Sequence, residues 1–215
     1  DYTVYVANSY SWTGATDTDW ATTTNWNPNF EPGSSDIVMI PSGLTNYPEV
    51  DETAVCKSLM LEDGASLTIN SGADLTIDGN LQAEGDFIMN AGTCNINGEF
   101  NNPSTAYVDI NGGTLNMDGW YETGYFSWGA GVVELSGGTI NVTEHLGLYD
   151  ATRSSIMDGP FTLNVGGTIQ IESYSFSSIT DGTINLTGTE GSTQYVIPPT
   201  ATDRKSTRLN SSHYS

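Results

Sequence analysis

The stretch AGTCNINGEFNNPSTAYVDINGGTLNMDG, residues 91–119, states one phrase twice. Gly92 is followed by Thr93, Cys94, Asn95 and Ile96, and the phrase returns as Gly113, Thr114, Leu115, Asn116 and Met117. Apolar and polar residues alternate with period two, so each copy reads as a strand with one buried side. The phrase has relatives in GASLTI (Gly64 to Ile69), GADLTI (Gly72 to Ile77), GTINV (Gly138 to Val142), GTIQI (Gly167 to Ile171) and GTINL (Gly182 to Leu186). Its threonines at 93, 114, 139, 168 and 183 lie 21, 25, 29 and 15 residues apart. Self-similarity at a period of roughly twenty residues is the mark of a solenoid.

A second alternating strand precedes the phrase at Phe87–Met89, Tyr107–Ile110, Val132–Leu135 and Phe161–Val165. The corners between the two read NAG, NGG, SGG and GG, where glycine permits a sharp turn. A weaker third strand follows at Gly98–Phe100, Gly119–Glu122 and His145–Leu148. Three short strands per coil predict an all-β, right-handed parallel β-helix. Antiparallel sandwiches are the competing architecture, but they rarely repeat one phrase in one orientation.

The alternation assigns faces. Cys94, Leu115, Ile140, Ile169 and Ile184 are expected inside, with Ile96, Met117, Val142, Ile171 and Leu186. Thr93, Thr114, Thr139, Thr168 and Thr183 are expected to form one outward ladder. Asn95, Asn116, Asn141, Gln170 and Asn185 are expected to form another beside it, giving a flat polar face. Residues 1–50 read as an N-terminal cap carrying Tyr5, Trp12, Trp20, Trp26 and Phe30, ending in the first solenoid strand, DIVMI, at Asp36–Ile40. Residues 51–202 read as the β-helix. A cap is needed because an uncovered solenoid end would pair with other chains.

Charge narrows the partners. The chain has 26 acidic and 5 basic residues, a net charge of −21. Phosphate binding needs clustered Lys and Arg, so nucleic acid and anionic membrane surfaces are poor partners. No apolar run approaches the ~18 residues of a membrane-spanning helix. Cys56 and Cys94 are too few for a disulfide scaffold. They are expected two coils apart on different faces, as buried free thiols.

The chain begins at Asp1, as a mature secreted protein or a gene fragment does. Its last residues change character. Arg204, Lys205 and Arg208 crowd into residues 203–215, whereas residues 1–202 hold Lys57 and Arg153. DRKSTRLNSSH, residues 203–213, resembles one reading frame of a common sequencing adapter. That resemblance implies a non-native tail, and a natural chain that continues into missing C-terminal domains.

WTGATDTDWATTTNWNPNFEPGSSDIVMIPSG (12–43), then LTNYPEV (44–50) and KSLMLEDGASLTINSGADLTIDGNL (57–81), resembles the N-terminal region of large secreted proteins of Bacteroidetes-type bacteria. Those proteins often carry a C-terminal sorting domain. The resemblance implies an extracellular or cell-surface β-helical module of adhesin-like type, and no enzymatic activity.

Catalytic chemistry finds little to use. A polysaccharide lyase needs a base, often Arg or Lys, with Ca²⁺ on the substrate carboxylate. Arg153 and Lys57 are the only basic residues before the tail, and the surface charge repels polyanions. Adjacent Asp pairs suited to glycoside hydrolysis are absent from the sequence. His145 beside Glu144 reads as a surface residue, because strand neighbours face opposite ways. No cofactor or metal is expected: Asp17, Asp19, Asp181 and Glu190 read as solvated loop acids, with Ca²⁺ on their oxygens as the alternative.

Three functional readings follow. The leading one is a non-catalytic structural or adhesive module, with surface glycans or other cell-surface proteins as partners. The second is glycan binding by an aromatic bulge, GWYETGYFSWGAG, through Trp120, Tyr121, Tyr125, Phe126 and Trp128. The third is ice or crystal-surface binding by the threonine ladder. Against that third reading stand the Asn/Gln column and the coil spacings of 15 to 29 residues.

Overall fold

The computed structural model describes residues 8–102, 107–121, 132–148, 155–171, 176–187 and 195–196. Regular structure is almost entirely β. The chain opens with β1 (Ser9–Trp12), β2 (Trp26–Asn27) and β3 (Ile37–Ile40). Coiling then proceeds through β4 (Glu49–Val50), β5 (Thr53–Cys56), β6 (Ser58–Leu61), β7 (Ser66–Ile69), β8 (Asp74–Ile77), β9 (Leu81–Ala83) and β10 (Asp86–Met89). The strands β11 (Thr93–Asn101), β12 (Tyr107–Ile110), β13 (Thr114–Tyr121), β14 (Val132–Leu135) and β15 (Thr139–Leu148) follow. The described stack closes with β16 (Ser155–Asp158), β17 (Thr162–Val165), β18 (Thr168–Ile171), β19 (Phe176–Thr180), β20 (Thr183–Leu186) and β21 (Tyr195–Val196).

Pairing between coils is parallel, and three faces result. Face 1 is a seven-stranded sheet in the order β4-β7-β10-β12-β14-β16-β19. Face 2 stacks β5, β8, the first half of β11, β13 and β15, then β17 and β20. Face 3 stacks β1, β3, β6, β9, the second halves of β11, β13 and β15, then β18 and β21. The expected parallel β-helix with three strands per coil is the fold. The weak third strand is not separate in the middle coils. It continues from the second strand through a register shift, as between Ile96 and Glu99.

The register corrects one rung. Thr139 pairs with Thr162, and Thr162 with Thr183. The ladders therefore run Thr93–Thr114–Thr139–Thr162–Thr183 and Asn95–Asn116–Asn141–Asn164–Asn185. Thr168 and Gln170 belong to face 3, opposite His145 and Gly147. Leu163 and Val165, both buried, take the face 2 core places expected of Ile169 and Ile171. Ser155–Asp158, not Phe161–Val165, is the face 1 strand of that coil. GTIQI matched the phrase better than FTLNV, but Phe161 is buried where the preceding coils carry glycine, so the glycine signal pointed one strand too far.

Inward side chains form continuous columns. Ala54, Leu75, Cys94, Leu115, Ile140 and Leu163 are buried one above another, as are Cys56, Ile77, Ile96, Met117, Val142 and Val165. Coils rise by about 4.8 Å, so each residue packs on its equivalents above and below. Cys56 and Cys94 are both buried free thiols two coils apart, as expected. They project from the same face, however, because β5 is already a full rung of face 2. Two coils separate their backbones by roughly 10 Å, beyond disulfide reach. Burial pushes the Cys56 thiol up to about 12 and raises Cys94 as well, so both remain unreactive.

The N-terminal aromatics divide. Trp12, Trp20 and Trp26 are fully buried and stack edge to face, with centroids at 4.9 Å for Trp12–Trp26 and 4.7 Å for Trp20–Trp26. Their indole N–H groups at Trp12 and Trp26 donate to the Asn46 and Trp20 carbonyls, each at 2.8 Å. Asn25, buried beneath them, accepts from Thr16 and Asp17 backbone N–H and donates to the Asp17 carboxylate and Asp19 carbonyl. β1 already extends face 3 in parallel below β3, and β2 pairs antiparallel to β1, ending the parallel run. Phe30 departs from the expectation and is 68% exposed. Tyr5 and residues 203–215 lie outside the described residues.

Stability should report this register directly. Ile140→Asp places an unpaired charge in the column and should cost about 3 kcal/mol or more in chemical denaturation. Thr139→Asp, one residue away and outward, should cost less than about 1 kcal/mol. Equal losses would contradict the alternation.

Candidate functional site

Face 2 owes its surface to the alternation. From β11 to β20 its outward positions are Thr or Asn throughout: Thr93 and Asn95, Thr114 and Asn116, Thr139 and Asn141, Thr162 and Asn164, Thr183 and Asn185. Within each coil a strand turns the side chains of i and i+2 the same way, so every rung offers one hydroxyl and one amide. The asparagines join along the stack. Asn116 donates from Nδ2 to Asn95 Oδ1 at 2.8 Å, Asn141 to Asn116 at 2.7 Å, Asn164 to Asn141 at 2.7 Å and Asn185 to Asn164 at 2.8 Å. Sequence separations along this ladder are 21, 25, 23 and 21. With Thr162 as the fourth rung, the threonines keep the same spacings as the asparagines.

A second ladder follows the corner between faces 1 and 2. Asn70 donates to the Glu49 carboxylate at 3.0 Å, Asn90 to Asn70 at 3.1 Å, Asn111 to Asn90 at 3.2 Å, and the Ser136 hydroxyl to Asn111 at 2.6 Å. Both ladders point one way. Each Nδ2 donates toward the N-terminal coil, and the series ends on a carboxylate: Glu49 here, and Asp74 for Asn95 at 3.3 Å. A carboxylate only accepts, so it forces the first amide to present N–H and orients every amide after it.

Face 2 also differs electrically. On face 1 the outward residues include Asp86, Asp109, Glu134 and Asp158. There Asp86 is raised by burial and by Asp63, and Tyr107 is raised by burial and by its hydrogen bond to Glu134. Over the five Thr/Asn rungs of face 2 the outward side chains are uncharged, and charge returns at its corner with face 3, at Asp118 and Glu144. Glu144 and His145 are both exposed, contrary to the opposed facing expected. They sit where the ladder shifts register between Met117 and Gly119 and their partners.

The other cluster lies beside the cap. Asp19, Asp51 and Glu52 each bring a carboxylate oxygen within 4.8 Å of the others, a spacing that suits a hard cation such as Ca²⁺. Asp19 was read as a solvated loop acid, with calcium ligation as the alternative. Asp17 instead accepts from the Asn25 amide, and Asp181 occupies an exposed corner at φ 52°. Asp51 and Glu52 had no sequence signal, because the bridge between Asp19 and Glu49 brings the cap onto them. Burial, a hydrogen bond to Asp51 and the charges of Asp19, Asp51 and Glu31 lift Glu52 to about 7. Of the aromatic bulge, β13 runs through Trp120 and Tyr121, so these are strand residues. Trp120 stands in register between Phe100 and Leu146, which are buried. Tyr125, Phe126, Trp128 and Glu190 lie outside the described residues.

A family model for a domain of unknown function, DUF8693, matches residues 11–151. The chain belongs to that family. Its match starts within β1 and runs through β15, so the tryptophan cluster and the first three Thr/Asn rungs, through Thr139 and Asn141, fall inside it. Searches of curated proteins and of solved structures find no match. Among the described residues no helix is long and apolar enough to cross a membrane.

Two measurements probe these groups. Asn141→Ala removes two ladder bonds and should lower stability by about 1–2 kcal/mol, with the folded spectrum retained. Glu52 titrates higher folded than its ordinary 4.5, so its contribution is complete below pH 4.5 and is lost as pH rises through about 7. Glu52→Gln should therefore show a smaller fall in melting temperature between pH 5 and pH 8 than the unmodified protein.

Proposed function

We propose that the chain is a non-catalytic structural and adhesive module of a larger secreted or cell-surface bacterial protein. The observation that carries this is the unidirectional asparagine ladder across five successive coils. Amides committed to one another along the stack stiffen it, and they make the outer surface of face 2 repetitive. A rod with identical rungs suits holding other domains away from a surface and meeting a partner over many weak contacts. The resemblance of residues 12–81 to secreted bacterial surface proteins supports the location. The five basic residues and net charge of −21 support a role other than cleaving acidic polysaccharides.

Small-angle scattering should give a rod whose length grows by about 4.8 Å per coil. Incubation with pectin, alginate or neutral glucans, with and without Ca²⁺, should release neither unsaturated nor reducing ends. Release that disappears in Arg153→Ala would overturn the non-catalytic reading.

A further inference from the structure

Face 2 is bounded by short connections. Three residues or fewer separate face 1 from face 2 at 90–92, 111–113, 136–138, 159–161 and 181–182. Between faces 2 and 3, β11, β13 and β15 run on as single strands. Most of the chain-length variation from β11 to β19 falls between faces 3 and 1, where residues 102–106, 122–131, 149–154 and 172–175 connect the strands, and single-residue register shifts take up the rest between faces 2 and 3. The Thr/Asn strip thus stays in register while coil length changes from 21 to 25 to 23 residues. Side chains on it are no longer than Asn, and the strip is uncharged in a chain of net charge −21. A flat, neutral, periodic surface complements a flat, neutral, periodic partner.

The ladder identifies the chemistry. Each interior asparagine uses one N–H and one lone pair within the stack and retains a second N–H and a second lone pair for outside contact. The threonine hydroxyls add a donor and acceptors per rung. The amide repeat is set at about 4.8 Å by N–H···O=C stacking of parallel coils. A crystal of an N-acetylated polysaccharide stacks its acetamido groups through the same bond, so the same geometry sets its chain-to-chain repeat. Ice and unacetylated glucans hold no amide ladder.

We propose that the Thr/Asn strip of face 2 is a docking surface for a crystalline polysaccharide of N-acetylated sugars, its rungs in step with the acetamido stacks of the crystal. This deepens the adhesive part of the function proposed above and rests on it. Recognition is by hydrogen bonding in register and involves no covalent step.

The experiment is pull-down of the full chain on microcrystalline chitin, with microcrystalline cellulose and ice-recrystallisation inhibition as parallel arms. Thr139→Glu puts a charged, longer side chain in the middle of the strip, and Thr68→Glu makes the same change on face 1. Both variants should melt within a few degrees of the unmodified protein. Binding to chitin should exceed binding to cellulose by about tenfold or more, fall about tenfold in Thr139→Glu, and stay unchanged in Thr68→Glu. Chitin binding unaffected by Thr139→Glu would place the contact elsewhere and overturn the proposal. Equal binding to cellulose, ice activity without chitin binding, or no binding in any arm would also overturn it. None of these results alters the scattering length or the polysaccharide assays, so the rod and non-catalytic readings stand or fall separately.

Discussion

Every regular feature of this molecule descends from parallel backbone pairing between one coil and the next. Pairing fixes the rise at about 4.8 Å, and it places each residue over its equivalent in the coil below. A column is therefore the unit of design. Where the equivalents are apolar, they form a buried column, as from Ala54 to Leu163. Where they are asparagine, the same spacing lets side-chain amides repeat the backbone hydrogen bond outside the strand, at 2.7–2.8 Å. Where they are glycine, the corners sit directly on one another. A Cβ on Gly113, at φ +81°, would lie 2.6 Å from the Gly92 carbonyl oxygen of the coil below. At Gly92, Gly113 and Gly138 the column leaves no room for a side chain, so these glycines are as much a consequence of stacking as of turn geometry.

Much of this was legible from residues alone. The period-two alternation in GTCNI, GTLNM and GTINV identifies strands, faces and the parallel stack, because burial on one side is what writes that pattern. The rung at Thr162 was hidden. Its coil enters face 2 through Pro160 and Phe161, with Phe161 buried, so it lacks the glycine that announces the others. Asn164 was the available signal, since a ladder of amides at one spacing accepts Asn and has no place for the longer Gln170. The shared facing of Cys56 and Cys94 was missed for a related reason. Val55 breaks the polar alternation of β5, and only its pairing with Thr76 reveals it as a full rung.

The acidic cluster was less legible because it is tertiary. Asp19 lies in the cap and Asp51 with Glu52 at the entry to the first full coil, and nothing in their spacing along the chain joins them. They meet because Trp20, Trp26 and Trp12 pack as one edge-to-face unit that fixes the cap against the stack. Packing of apolar rings thus determines where carboxylates meet, and the high titration of Glu52 reflects first its burial there and then the neighbouring Asp51, Asp19 and Glu31.

The direction of the ladders bears on how such a chain assembles. Acceptors terminate at Glu49 and Asp74, in the earliest coils, and every later amide donates back toward them. A polypeptide that leaves the ribosome or an export channel N-terminus first lays down the oriented carboxylate before any asparagine that must read it. Each new coil then finds its acceptor waiting, already polarised by the bonds beneath it. Growth from the other end would begin with amides free to face either way, and a single reversed one would set donor against donor further down. The direction of both ladders is in this sense set from the N-terminal coils.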